Sequence, residues 1–323
     1  MKQYSIYGGC LQSDVPFPAL PAGDGRPAWR LRRVRDAAAA SRPAAALVPL
    51  GEDRVDPGVS VRLFRHPRGL RLAYDDTGVF DVLDGGARIE WYPGADPRLD
   101  AVRLDVLGRV LPAALHEMGS LCLHGSAVGI AGHSVAFLAP KHHGKSTLAR
   151  AIARAGGRVL SDDVVALDVD PSAVLRPGVT SVRLWRDAAA RLGGAADATP
   201  DRYGKLVVSD VGAGMPAPDR VPLRALYALT PVPAAANRAA AVRMRLSPVS
   251  AAMALLPHAR LAALLGRAEA ARILDRIARL TASTPVYALE VARDFDRLDE
   301  AAHTIRSWHA ADVHTGLPAR RTA

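Results

Sequence analysis

At 323 residues with 49% apolar side chains, the chain is long enough for one large or two ordinary domains with real cores. No run of 18 apolar residues occurs, and the opening Met-Lys-Gln-Tyr-Ser-Ile-Tyr-Gly-Gly-Cys lacks the apolar stretch of a secretory signal, so a cytoplasmic protein with no membrane partner is expected. A net charge of +10 and a pI near 10.2 would suit nucleic acid, but the excess is scattered Arg without a Lys/Arg block or interleaved aromatics, so no nucleic-acid partner is expected.

Residues 1–105 read as a β-rich N-terminal domain. Val59 to Phe64, Leu70 to Tyr74, Val79 to Leu83 and Ala87 to Tyr92 are short apolar runs separated by Pro-Arg-Gly, Asp-Asp-Thr-Gly and Asp-Gly-Gly turns, which predicts an antiparallel meander. Residues 36–46 are low in complexity and read as a loop or a short helix broken at Pro43. Cys10 and Cys122 match no metal or redox spacing and are expected to be two reduced thiols. A Pro/Gly turn at Pro93 to Pro97 precedes the domain boundary.

The second domain, 106–312, is entered through an amphipathic helix over Asp100 to Glu117. Leu121 to Ile130 and His133 to Leu138 are strand-like around Ala131-Gly132, a two-residue hairpin signal. With that turn, His124 lies opposite Ala139, although a slip of one residue would turn it to the other face.

Ala139-Pro140-Lys141-His142-His143-Gly144-Lys145-Ser146-Thr147 fits the A/G-x-x-x-x-G-K-S/T pattern of a phosphate-binding loop, set between a strand and an Ala/Leu-rich helix. Backbone N–H groups and the positive end of the helix would face a nucleoside triphosphate, Lys145 would reach its outer phosphates, and Ser146 can bind Mg²⁺. At His142 and His143 only the backbone is expected to matter. The alternative is a Gly-Lys-Ser helix start that merely caps itself.

The helix over Lys145 to Ala155 spans roughly 16 Å at about 1.5 Å per residue, the length of a five-residue strand. After Gly156-Gly157 the chain can therefore return as a strand, Arg158 to Asp163, parallel and adjacent to the one before the loop. Asp162 and Asp163 then emerge beside the loop. One can hold Mg²⁺ and the other accept a proton from an attacking hydroxyl, where in isolation an Asp pair means a turn.

Beyond lie strands at Val164 to Val169 and Ser181 to Trp185, a short helix from Arg186 to Leu192, and a strand at 222–230. Val211 to Pro218 and Val232 to Ala241 read as loops. Two amphipathic helices follow over Ser250 to Leu280, then a strand at Thr284 to Val291, a helix at Phe295 to His309 and a disordered tail, 313–323. Arg183 and Lys205 are candidates for phosphate or substrate contacts, against the plainer reading as surface charges.

His124-Gly125, the loop ending Gly144-Lys145-Ser146, and Gly157-Arg-Val-Leu-Ser-Asp-Asp163 together resemble the catalytic domain of HPr kinase/phosphorylase, in that family's order and spacing. The implied fold is α/β (α+β over the whole chain), a phosphate-loop kinase domain of the HPr kinase/phosphoenolpyruvate carboxykinase type behind a β-rich domain. The chain also resembles the HPr-kinase-like proteins of lasso-peptide biosynthesis in Tyr4 to Leu20, Leu123 to Val128, Pro177 to Trp185 and Pro285 to Leu289.

That resemblance implies an ATP- and Mg²⁺-dependent peptide serine kinase acting on the C-terminal serine of a ribosomal precursor peptide. Ser146 and Asp162 would hold the metal, Asp163 would be the base, and His124 would orient it or contact the transferred group. Typical members of the family are hexamers, so a homo-oligomer is an open expectation. The chain departs from the pattern by having Ala-Pro-Lys-His-His for Gly-Asp-Ser-Gly-x, by lacking a later Glu as a further Mg²⁺ ligand, and in its first domain. A small-molecule or sugar kinase and a non-catalytic nucleotide-binding regulatory protein are the alternatives.

Overall fold

The structure, a computed structural model, describes residues 1–35, 47–56, 58–194, 200–201, 203–209, 218–233, 239–262, 264 and 266–310. The expectations for 36–46, for the 313–323 tail and for most of the two loops at 211–218 and 232–241 fall outside them. It is a mixed α/β protein built on two large sheets.

The first sheet contains β1 (Lys2–Ile6), β2 (Gly9–Ser13), β3 (Trp29–Arg33), β4 (Val48–Asp56), β5 (Val59–His66), β6 (Gly69–Tyr74), β7 (Gly78–Leu83) and β8 (Arg88–Pro93), in the order β1-β2-β3-β8-β7-β6-β5-β4. The expected meander is β5 to β8, antiparallel throughout. Sequence reading missed β1 to β4, and β3 joins both β2 and β8 in parallel. In β3, Trp29 and Leu31 point into the core while the arginines between and after them stay out, the period-2 pattern of a half-buried strand.

The chain leaves this sheet through a continuous helical stretch made of α1 (Leu99–Asp105), a π-helical turn (Val106–Val110) and α2 (Leu111–Glu117). Val102, Val106, Val110 and Leu111 share one apolar cluster with Leu63, Leu72 and Phe80 of the first sheet and with Leu121, Leu123 and Ala136 of the second. The helix is thus the hydrophobic mortar between the sheets, and its buried stripe explains its position.

The second sheet holds β9 (Leu121–Ile130), β10 (His133–Leu138), β11 (Arg158–Ser161), β12 (Val164–Asp168), β13 (Val174–Arg176), β16 (Val221–Val232), β17 (Ala241–Arg245) and β18 (Val286–Ala292); β14 (Val182–Leu184) and β15 (Leu206–Val208) form a separate two-stranded ribbon. The Ala131-Gly132 turn has φ of 49° and 81°, the left-handed pair that a tight hairpin requires. Pairing runs from His133 with Ile130 to Leu138 with Gly125, the register read from sequence. Alternate residues of β10 face two cores: Ala136 and Leu138 the cluster shared with the first sheet, Val135 and Phe137 a second one under the helices.

The strand after the loop helix departs from expectation. β11 does not lie beside β10; it pairs antiparallel with β9, which separates the two. The other edge of β10 is filled by β16 in parallel, so the returning chain can only take the free edge of the longer β9. Because β10 and β11 both run against β9, they point the same way, and the acid pair still leaves the sheet at the end where the loop begins.

Helices α3 (Lys145–Arg154), α4 (Arg186–Leu192), α5 (Pro248–Leu255), α6 (Arg267–Ser283) and α7 (Leu298–Ala310) complete the fold, with a 3₁₀ turn at Leu256–His258. No helix among the described residues is long and apolar enough to cross a membrane. Cys10 and Cys122 are free and buried.

Candidate functional site

The loop leaves β10 at Ala139, a buried position, and enters α3 at Lys145 through Gly144, which sits at φ 84°. His142 takes the other left-handed position, φ 68°. With glycine absent from the loop's first five residues, that strained turn falls to a residue with a side chain, at a cost of about 1 kcal/mol. Lys145 is buried and its Nζ donates to the carbonyls of Ala139 at 2.8 Å and Pro140 at 2.9 Å. These two residues therefore serve the lysine, while Lys141 to Thr147 line the cleft. Burial pushes the Lys145 ammonium down to about 8 against the pull of Asp162 and Asp163.

The acid pair lies where β11 passes into β12 along one edge of β9, Ser161 facing Ala127 and Val164 facing His124. Between them Asp163 turns to φ 69°, which throws the two carboxylates in different directions. Asp162 is buried: its Oδ1 accepts from Ser126 Oγ at 2.6 Å and from Ser146 Oγ at 2.8 Å, and its Oδ2 from the Arg183 backbone N–H at 3.2 Å. Asp163 opens on the cleft, with Arg260 Nη2 2.7 Å from Oδ2, and His124 Nδ1 at 3.3 Å and Arg183 Nη2 at 3.5 Å from Oδ1. Burial alone would raise its pKa, but Arg260, then His124 and Arg183, hold the carboxyl well below the usual range.

His124 is thus on the cleft side of β9. Its Nδ1 also lies 3.1 Å from the Asp163 carbonyl and 3.1 Å from Arg260 Nη2, and its Nε2 is buried with no hydrogen-bond partner among the described residues. Burial, with Arg260 and Lys145 adding to it, lowers its pKa and favours the neutral ring. The four residues His124, Lys145, Asp162 and Asp163 all line one cleft of about 790 Å³, of the size that takes a small-molecule ligand.

No protein-family model matches the chain, and no curated protein does. Among solved structures the chain is similar to the HPr(Ser) kinase/phosphatase from Coxiella burnetii, at 10% identity and a TM-score of 0.27, over 58% of this chain and 91% of that one. A likeness at that TM-score carries no argument about activity.

Sequence reading did not find Arg260 or Arg109. Arg260 follows the 3₁₀ turn, where Ala259 bridges Leu123 and the Arg260 N–H donates to the Cys122 carbonyl at 2.8 Å, so the segment takes the place along β9 that the loop vacates at Ala139. Pro257 inside an apolar helical pattern was the available signal that the helix stops there. Arg109 comes from the π turn, pairs with Asp53 at 2.8 Å, and lines the cleft beside Gly108, where an added Cβ would be 3.6 Å from Asp163 Oδ2. Such π turns recur at functional sites because the extra residue redirects side chains.

Arg183 and Lys205, the two charges left open by sequence, both line the cleft. The His142 ring does more than occupy a variable position: it stacks on Trp185 at 5.6 Å between centroids and an interplanar angle of 21°. His143 Nδ1 donates to the Lys141 carbonyl at 2.9 Å.

Proposed function

We propose that the chain is an ATP-dependent kinase that transfers the γ-phosphoryl group to a serine hydroxyl of a peptide. The Ser146–Asp162 hydrogen bond carries this reading. It joins the hydroxyl at the start of a helix whose free N–H groups suit a phosphate to a carboxylate at the end of a strand, with a second carboxylate next in sequence lining the same cleft.

The donor set fits Mg²⁺. Among the described residues no group of three or more His, Cys, Asp or Glu forms a protein cage, which suits an ion that takes one or two protein oxygens and leaves its other positions to water and phosphate. Ser146 and Asp162 would hold it, and bound there it would neutralise charge on the triphosphate. Lys145 would turn from its loop carbonyls to the phosphates. Leu229, Pro231, Val291, Ala292 and Phe295 give the cleft an apolar wall suited to the nucleobase.

Asp163 accepts the proton of the attacking serine hydroxyl, and His124 and Arg260 fix that carboxylate. So strongly paired a carboxylate is a weak base, but phosphoryl transfer has a loose transition state in which positioning and charge dominate and proton removal comes late. The acceptor class, the C-terminal serine of a lasso-type precursor peptide, rests on the resemblance in Leu123 to Val128, Pro177 to Trp185 and Pro285 to Leu289.

The test is transfer of labelled γ-phosphate from ATP to a synthetic peptide ending in serine, with Mg²⁺. Label on the peptide, lost in Asp163→Asn, supports the reading. ATP consumption with small alcohols or sugars but no peptide would move the acceptor class, and tight ATP binding with no transfer to any acceptor would overturn the kinase.

A further inference from the structure

Lys205 sits just before β15, and the pairing of Leu184 with Leu206 puts it opposite Trp185 on the ribbon. Its Nζ lies 5.4 Å over the indole, whose other neighbour is the His142 ring of the phosphate loop. Lysine, indole and imidazole lie together on the wall of the cleft beside the loop.

The cations of this wall are differently engaged. Arg183 is committed to Asp163 and Asp201, at 3.5 Å each, and Lys145 to two loop carbonyls. Lys205 is half-buried and, among the described residues, has no carboxylate within 4.0 Å. Burial first, and then repulsion from Arg183, lowers its pKa, with the more distant Asp162, Asp163 and Asp201 pulling the other way. A cation over a half-exposed indole is weakly held compared with a charge-assisted contact to phosphate. A lysine in that situation, beside a loop shaped for phosphate, marks the position of an anion.

We propose that Lys205 binds the terminal phosphate of the nucleotide and that Trp185 holds its ammonium while no anion is present. This rests on the nucleotide-site reading above and adds a residue to it. Lys145, coming from the helix side of the loop, takes the phosphates nearer the loop; Lys205, from the ribbon, meets the outermost one. On binding, the ammonium exchanges the face of the indole for phosphate oxygens, and no bond to the protein is made or broken.

The experiment titrates the full chain with a non-hydrolysable Mg–ATP analogue and with Mg–ADP, by calorimetry and by tryptophan emission, in the wild type, Lys205→Met, Lys205→Arg and Trp185→Phe. Lys205→Met should weaken the triphosphate about tenfold and leave ADP nearly unchanged, and Lys205→Arg should restore most of the loss. The triphosphate, and not ADP, should change the emission of the wild type, and Trp185→Phe should remove that change. Equal weakening of both nucleotides, no weakening of either, or an emission change that survives Trp185→Phe overturns the proposal while leaving the nucleotide site standing. A wild type that binds neither nucleotide overturns both.

Discussion

The Ser146 hydroxyl donates to Asp162 Oδ1 across 2.8 Å, and the Ser126 hydroxyl donates to the same oxygen at 2.6 Å. One carboxylate therefore ties the first turn of α3 to the middle of β9 and to the end of β11. Asp162→Asn would turn an amide toward one or both hydroxyls and remove the charge that draws a cation. Nucleotide affinity should lose its dependence on Mg²⁺, and transfer should fall by about 100-fold or more. Titration of ADP with Mg²⁺ and with EDTA checks the first, and the label assay the second.

Arg260 Nη2 meets Asp163 Oδ2, the Asp163 carbonyl and His124 Nδ1 at 2.7, 2.9 and 3.1 Å. In the native chain the Asp163 carboxyl stays ionised through mild acid, because the surrounding cations outweigh the upward push of burial. Arg260→Gln removes the largest of them while the burial remains, so the carboxyl pKa must rise. The kcat of the variant should fall on acidification at a higher pH than any fall this group causes in the wild type. Identical acid limbs in both proteins would separate Asp163 from the reaction.

For Lys145 the sign runs the other way. Its ammonium, pushed down to about 8 by burial, gains its charge back when an anion arrives. Nucleotide binding should therefore take up a proton at pH above about 8, and affinity should fall as pH rises through that value. Calorimetry near pH 8.5 in two buffers of different ionisation heat measures the uptake, which Lys145→Met should abolish.

The first sheet contains a buried bidentate pair, Arg71 Nε to Asp81 Oδ1 at 2.6 Å and Nη2 to Oδ2 at 2.7 Å, with side chains 8% and 3% exposed. Asp81→Asn leaves the guanidinium buried without its counter-charge and should cost about 3–5 kcal/mol. Replacing both partners with apolar residues of similar size should cost much less. Urea midpoints of the single and double variants test the difference.

Sequence reading recovered the β9–β10 hairpin because a two-residue turn between apolar runs fixes both pairing and register, and that register put His124 beside the loop. It recovered the direction of β11 from length matching, but length says nothing of which neighbour a strand takes, and β9 is long enough to hold β11 and β12 on one edge. Arg260 was out of reach for another reason. It meets Asp163 from 97 residues away, one arginine among many, and only Pro257 hinted that its segment was not helical. β3 was readable in principle, since Trp29-Arg-Leu31-Arg alternates, whereas the β1–β2 turn was not, because Tyr7 rather than a glycine opens it at φ 51°.

The π turn at Val106–Val110 spends one residue more than regular winding would, and Gly108 and Arg109 reach the cleft from it. Such a turn absorbs its extra residue while α1 and α2 keep their phase, so excising one of the five would let the stretch close into regular α-helix with the buried stripe still facing both sheets. What would be lost is the bulge itself, and with it the placement of Gly108 and Arg109 on the cleft. A connector one residue shorter would therefore preserve the packing between the sheets and impair the site alone.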